Sequence, residues 1–155
     1  MAARAVEISG LVKERVAALE DALSVPQVPG ELSDWAENAC QAAQQLAQAL
    51  EVELSELRGQ QFGDILKQDP ALAPRVEEMR RADTEQLHVC QRLAKQLCTI
   101  EDQSEKRSEA ETSLHERVAH LTECGLRLVV DLRKQDAAID TWFQEAFQRD
   151  RGEGD

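Results

Sequence analysis

Apolar residues in this chain recur in alternating steps of four and three, a rhythm that lays one stripe along an α-helix and leaves room for little else. One run reads Trp35, Ala39, Ala42, Leu46 and Ala49, a second Val76, Met79, Leu87, Cys90, Ala94 and Leu97. The longest passes through Leu114, Val118, Leu121, Gly125, Leu128, Leu132, Ile139, Trp142 and Ala146. Breakers are scarce, with 4 Pro and 7 Gly in 155 residues, and only 3% of the chain is aromatic. That chemistry favours helix over strand. The breaks that do occur, Pro26 to Gly30, Asp69-Pro70 and the polar stretch after Ile100, divide the chain into helices expected over about 3–23, 34–57, 74–104 and 109–148. Ser33 is the expected cap of the second, the form Ser108-Glu109-Ala110-Glu111 that of the fourth. A charged tail, 149–155, is expected to leave the helix. The fold implied is all-α, a single domain built as an antiparallel up-down-up-down four-helix bundle.

Three positions interrupt the stripes with polar groups. Continuing the rhythm of the second helix places Glu53 and then Leu57; the third helix has Asp83 in line with Val76 and Met79; the fourth has Gln135 before Ile139. A polar group on a buried stripe costs free energy unless it is hydrogen-bonded, paired or metal-bound. Glu53 and Asp83 are each fifteen residues from a turn centred near Gln68, which puts them at one level, facing each other. Several outcomes are open: oxygen ligands for a hard cation such as Mg2+ or Ca2+, an ion-pair network completed by Arg15 with Gln135 bridging, or a drift to the stripe's edge where all three reach water. Buried acids left without an arginine partner would keep at least one proton at neutral pH.

Charge and composition narrow the partners. The 18 basic and 30 acidic residues give a formal net charge of -12, which repels nucleic acid and anionic membranes and favours protein or cation partners. No segment is long and apolar enough for a membrane span, and the first ten residues lack signal-peptide order, so a cytoplasmic location is expected. Cys40, Cys90, Cys98 and Cys124 have no C-x-x-C spacing and lie on helical patterns; they are expected to be reduced, buried thiols. His88, His115 and His120 read as solvated-face residues, and no nucleophile triad or phosphate loop is present, so no catalysis is expected. Trp142, Phe143 and Phe147 are expected to close one end of the core, the alternative being that part of the cluster is an exposed partner-binding or dimer patch.

Two strings carry a family resemblance: the run from Asp69-Pro70 through Pro74-Arg75-Val76 to Met79-Arg80, and the tail Gln144-Glu145-Ala146-Phe147-Gln148-Arg149-Asp150 with Gly152 and Gly154-Asp155. With Trp35 and Phe62 they resemble bacterial hemerythrin-like, cation-binding domains, from about Ser33 onward. The resemblance implies a di-iron centre held by a His on helix 1, H-x-x-x-E on helix 2, a His on helix 3 and H-x-x-x-E on helix 4. This chain departs from that set with Glu53 and Leu57, with Asp83, and with Gln135 and Ile139, while Ser9, Val12 and Arg15 are the candidates on helix 1. Aliphatic carbon at Leu57 and Ile139 cannot neutralise iron. The expectation is therefore a degenerate domain without metal, an interaction or regulatory module meeting a protein partner or itself, including as a coiled-coil dimer. The alternative is an atypical iron or other cation site built on Glu53 and Asp83.

Overall fold

The computed structural model describes residues 2–28, 30–106 and 111–152, and among these every regular element is helical. In chain order they are α1 (Ala2–Ser24), α2 (Leu32–Val52), a π-helical turn (Glu53–Arg58), α3 (Gly59–Gln68), a short 3-10 turn (Pro70–Leu72), α4 (Ala73–Lys106) and α5 (Glu111–Gly152). The second rod, expected to end at residue 57, instead runs on through the π turn to Gln68. Its start also differs, because Glu31 precedes the first helical residue and Ser33 lies inside the helix. Residues 149–152, expected to leave the helix, continue it, since nothing before Gly152 breaks the α-helical hydrogen-bond series. Most of the fourth helix's capping sequence, 108–110, lies outside the described residues.

The π turn has a reason in the sequence. An unbroken α rhythm after Leu46, Leu50 and Glu53 would next bring residues 57, 60, 61 and 64 inward, which adds Gln60, Gln61 and Asp64 to the core. A π turn takes up one extra residue per turn and rephases the helix. Phe62 and Ile65 then face inward, each 1% exposed, while Gln60 stays in solvent.

Each rod packs against two others, α1 with α2, α2 with α4, α4 with α5 and α5 with α1. Side-chain links fix the relative directions. Arg15 and Arg4 on α1 reach Gln45 and Glu56; Gln91 and Asp83 on α4 reach Glu51 and Arg58; Arg133 and Asp136 on α5 reach Glu20 and Lys13. In every pair one residue number rises as the other falls.

Two apolar clusters fill the interior. The larger one draws on α1, α2, α4 and α5, with Leu19, Ala36, Leu46, Cys90, Leu97, Ile100 and Val129 fully enclosed. The smaller one gathers Phe62, Ile65, Val76 and Ile139, with Trp142 and Phe143 partly buried against it. Those two aromatics thus sit at the small cluster's edge; the side chain of Phe147 is outside the described residues.

One covalent link corrects the reading of the cysteines. Cys40 on α2 and Cys98 on α4 form a disulfide, their Cα atoms 5.1 Å apart. Both lie on the sides by which α2 and α4 pack together, which brings the sulfurs together without any short sequence motif. Cys90 remains a free, buried thiol and Cys124 a free, half-buried one. Burial pushes the Cys90 thiol up to about 12, so it stays protonated and donates to the Ala43 carbonyl oxygen at 3.5 Å.

Candidate functional site

The polar positions lie at the divide between the two clusters. On the second rod the large cluster ends at Leu50 and the small one starts at Phe62, with Glu53 and Arg58 between them. On α4, Asp83 separates Met79 from Leu87; on α5, Gln135 separates Leu132 from Ile139. The result is a charged layer inside an otherwise apolar interior.

Arg58 organises that layer. Its Nη2 donates to Glu53 Oε1 at 2.7 Å, and its Nε lies 3.2 Å from Asp83 Oδ2, close enough for an ion pair but not aligned as a hydrogen bond. Nη1 donates to Gln61 Oε1 at 2.9 Å. Gln135 Nε2 donates to Asp83 Oδ1 and to the Met79 carbonyl oxygen, both at 3.1 Å. Glu53, Arg58 and Asp83 are 4%, 5% and 6% exposed, so these charges are held away from water. On an α-helix residues five apart point about 140° away from each other; the π turn stacks them, which is why Arg58 meets Glu53.

Two acids share one arginine, so with both ionised the local charge balance is negative by one. Burial raises the carboxyl pKa of both Glu53 and Asp83 above ordinary values, against the opposing pull of Arg58, and the Asp136 and Asp83 carboxylates push Glu53 further up. Beside the triad is a cavity of about 70 Å³. It is bordered by Val12 and Val16 of α1, Leu50, Leu132, the two acids and Gln86, whose Oε1 is buried with no hydrogen-bond partner. At its rim Lys13 pairs with Asp136 at 3.7 Å and Arg133 with Glu20 at 2.6 Å.

The sequence candidates therefore divide. Glu53, Asp83 and Gln135 are brought into one network, and Val12 lines the cavity. Arg15 is not part of it: its guanidinium donates to Gln45 Oε1 at 2.9 Å, and Arg58 takes the place expected of it, because the π turn delivers a nearer cation. Leu57 and Ile139 are buried, but neither borders the cavity, and Ile139 belongs to the small apolar cluster. Ser9 is likewise absent from the lining.

A di-iron centre does not fit these residues. The space between the two carboxylates holds a guanidinium, and the neighbouring amide presents N–H groups toward Asp83, whereas a metal requires acceptors there. The three histidines are exposed, and no group of three or more His, Cys, Asp or Glu side chains suited to a metal occurs among the described residues. No helix of the described residues is long and apolar enough to cross a membrane. Compared with family models, curated proteins and solved structures, the chain matches none. What the fold and site define is a class: an all-helical protein with a buried, arginine-centred charge layer.

Proposed function

We propose that this chain is an up-down-up-down four-helix bundle of hemerythrin-like kind in which an arginine has replaced the metal, and that it works as a non-catalytic interaction or regulatory module. The topology is supported by residue numbering that runs oppositely in all four packed pairs, Gln103 with Arg117 and Asp83 with Gln135 serving for α4 and α5. The observation that carries the reading is the Arg58 guanidinium lying between Glu53 and Asp83, where the family resemblance puts cationic iron. A guanidinium supplies fixed positive charge without redox chemistry or an open coordination position. The partner is a protein or a second copy of the chain, since a net charge of -12 disfavours nucleic acid. In a cytoplasmic setting the Cys40–Cys98 bridge would be reversible, because cytosolic thiols are kept reduced.

Elemental analysis of the purified chain tests the proposal. Metal well below one equivalent and no absorbance beyond the aromatic bands is the expected result. Stoichiometric iron or manganese would overturn it in favour of an atypical site using Glu53 and Asp83. Light scattering then separates a monomeric module from a self-associating one.

A further inference from the structure

We propose that the cavity beside Arg58 is a binding site for a small aliphatic ammonium ion. The inference rests on the metal-free reading above. Its first support is charge: Arg58 is shared by two buried acids, while the cations at the rim are already taken by Asp136 and Glu20. One negative charge is left over inside, so a cation is attracted and an anion is not. The second is donor–acceptor matching. A primary ammonium has three N–H donors, and the cavity offers the Glu53 and Asp83 carboxylates and the unpartnered Gln86 Oε1. The third is shape and polarity, because Val12, Val16, Leu50 and Leu132 border the rest of the space and would enclose a short alkyl tail.

Size sets the ligand class. About 70 Å³ exceeds the roughly 10–15 Å³ that a single water needs and leaves room for a small cation such as ethylammonium. A divalent metal is disfavoured by the guanidinium already between the acids. The Lys13–Asp136 pair is among the groups bordering the cavity, its lysine side chain is 62% exposed, and such surface pairs open at little cost.

Binding is coupled to protons. Burial holds the Glu53 and Asp83 carboxyls above their ordinary pKa, so acidification protonates them early and removes the charge that draws an ammonium. The charged groups facing it are Lys13 from α1, Arg58 from the π turn, and Arg133 and Asp136 from α5. Affinity therefore rises with pH while the acids deprotonate and the amine, with a pKa near about 10, stays charged.

Calorimetric titration of the full, metal-free chain with ethylammonium chloride tests this, with ethanol as the neutral analogue. The expected result is saturable 1:1 binding that strengthens with pH, with none for ethanol. Glu53→Gln and Gln86→Leu should each weaken it about tenfold or more, the loss of a hydrogen bond to a charged group. Gln86→Leu keeps all three buried charges, and circular dichroism confirms that each variant is folded. Ethanol binding as well as ethylammonium, equal affinity in wild type and both folded variants, or no saturable heat would overturn the proposal. A metal-free protein that ignores ethylammonium sinks this inference alone, whereas bound iron sinks the reading beneath it.

Discussion

The large apolar cluster and the charged layer next to it are built from the same four rods by opposite means. Around Leu19, Leu46 and Leu97 the interior is closed by aliphatic contact, and each buried side chain contributes about 1.5–3 kcal/mol of transfer free energy. In the adjoining layer Glu53, Arg58 and Asp83 are buried too, yet desolvating three charges costs several kcal/mol per ion before any attraction is counted. The first region shows how the chain folds. The second shows a feature that folding alone does not require, since apolar residues of similar volume would fill the layer at no loss of stability. That contrast is why the functional proposals rest on the layer and not on the larger core.

The contrast is broken most forcefully by removing the shared cation. Arg58→Met leaves two acids buried without their shared cation and should cost about 3–5 kcal/mol in urea unfolding at neutral pH. Leu46→Ala in the dry cluster should cost about 2–5 kcal/mol, so size alone does not tell them apart; pH does. In Arg58→Met the penalty shrinks as the medium is acidified and the acids take up protons, whereas the Leu46→Ala penalty stays flat. A pH-independent loss in Arg58→Met would mean that the layer is not charged.

The wild-type chain has its own pH signature. Glu53 and Asp83 have folded pKa values raised above 4.5 and 3.8, chiefly by burial, so the folded chain holds protons that the unfolded chain has released. Stability contributed by these groups therefore falls as pH rises from those ordinary values through the raised folded ones, and then levels off. The double variant Glu53→Gln/Asp83→Asn should lose that decline relative to wild type. A wild-type curve that parallels the variant's would remove the net negative charge from the account.

The disulfide belongs to the other region and acts differently. Cys40–Cys98 closes a loop with a sequence separation of 58, and reduction should lower stability by about 2–4 kcal/mol through the unfolded chain's greater freedom. The loss should be the same with and without the Arg58 substitution, as expected for sites with no shared partner.

Much of this was legible in the residues. The stripes give four helical rods, and their interruptions mark Glu53, Asp83 and Gln135. Arg58 was not legible, because on an ideal helix it faces away from Glu53; only the π turn brings it in. A signal was nonetheless present, since continuing the rhythm past Leu57 puts Gln60, Gln61 and Asp64 inside while leaving Phe62 out. The disulfide was also within reach. Cys40 and Cys98 stand 28 and 30 residues from Gln68, so the same count that sets Glu53 opposite Asp83 sets these two cysteines opposite each other. Spacing rules for cysteine look along the chain and miss pairs made across neighbouring helices.

The smallest expected effect probes the dry region where Gly125 of α5 lies against Leu23 and Leu93. Gly125 has ordinary helical backbone, so alanine there would gain about 1 kcal/mol of helix propensity on an open surface. Here a Cβ would collide with the Leu23 side chain and stand 3.2 Å from Leu93 Cδ2. Both leucines are 3% exposed and have little room to retreat, and overpacking of this kind costs about 1–3 kcal/mol. The two terms oppose each other, and Gly125→Ala should be destabilising by about 1 kcal/mol in urea unfolding. Leu23→Ala removes the atom that collides, so adding Gly125→Ala to that background should stabilise instead. A double-mutant cycle with no sign reversal would show that the glycine is not kept for close packing, and the dry core would then be less tightly specified than the charged layer beside it.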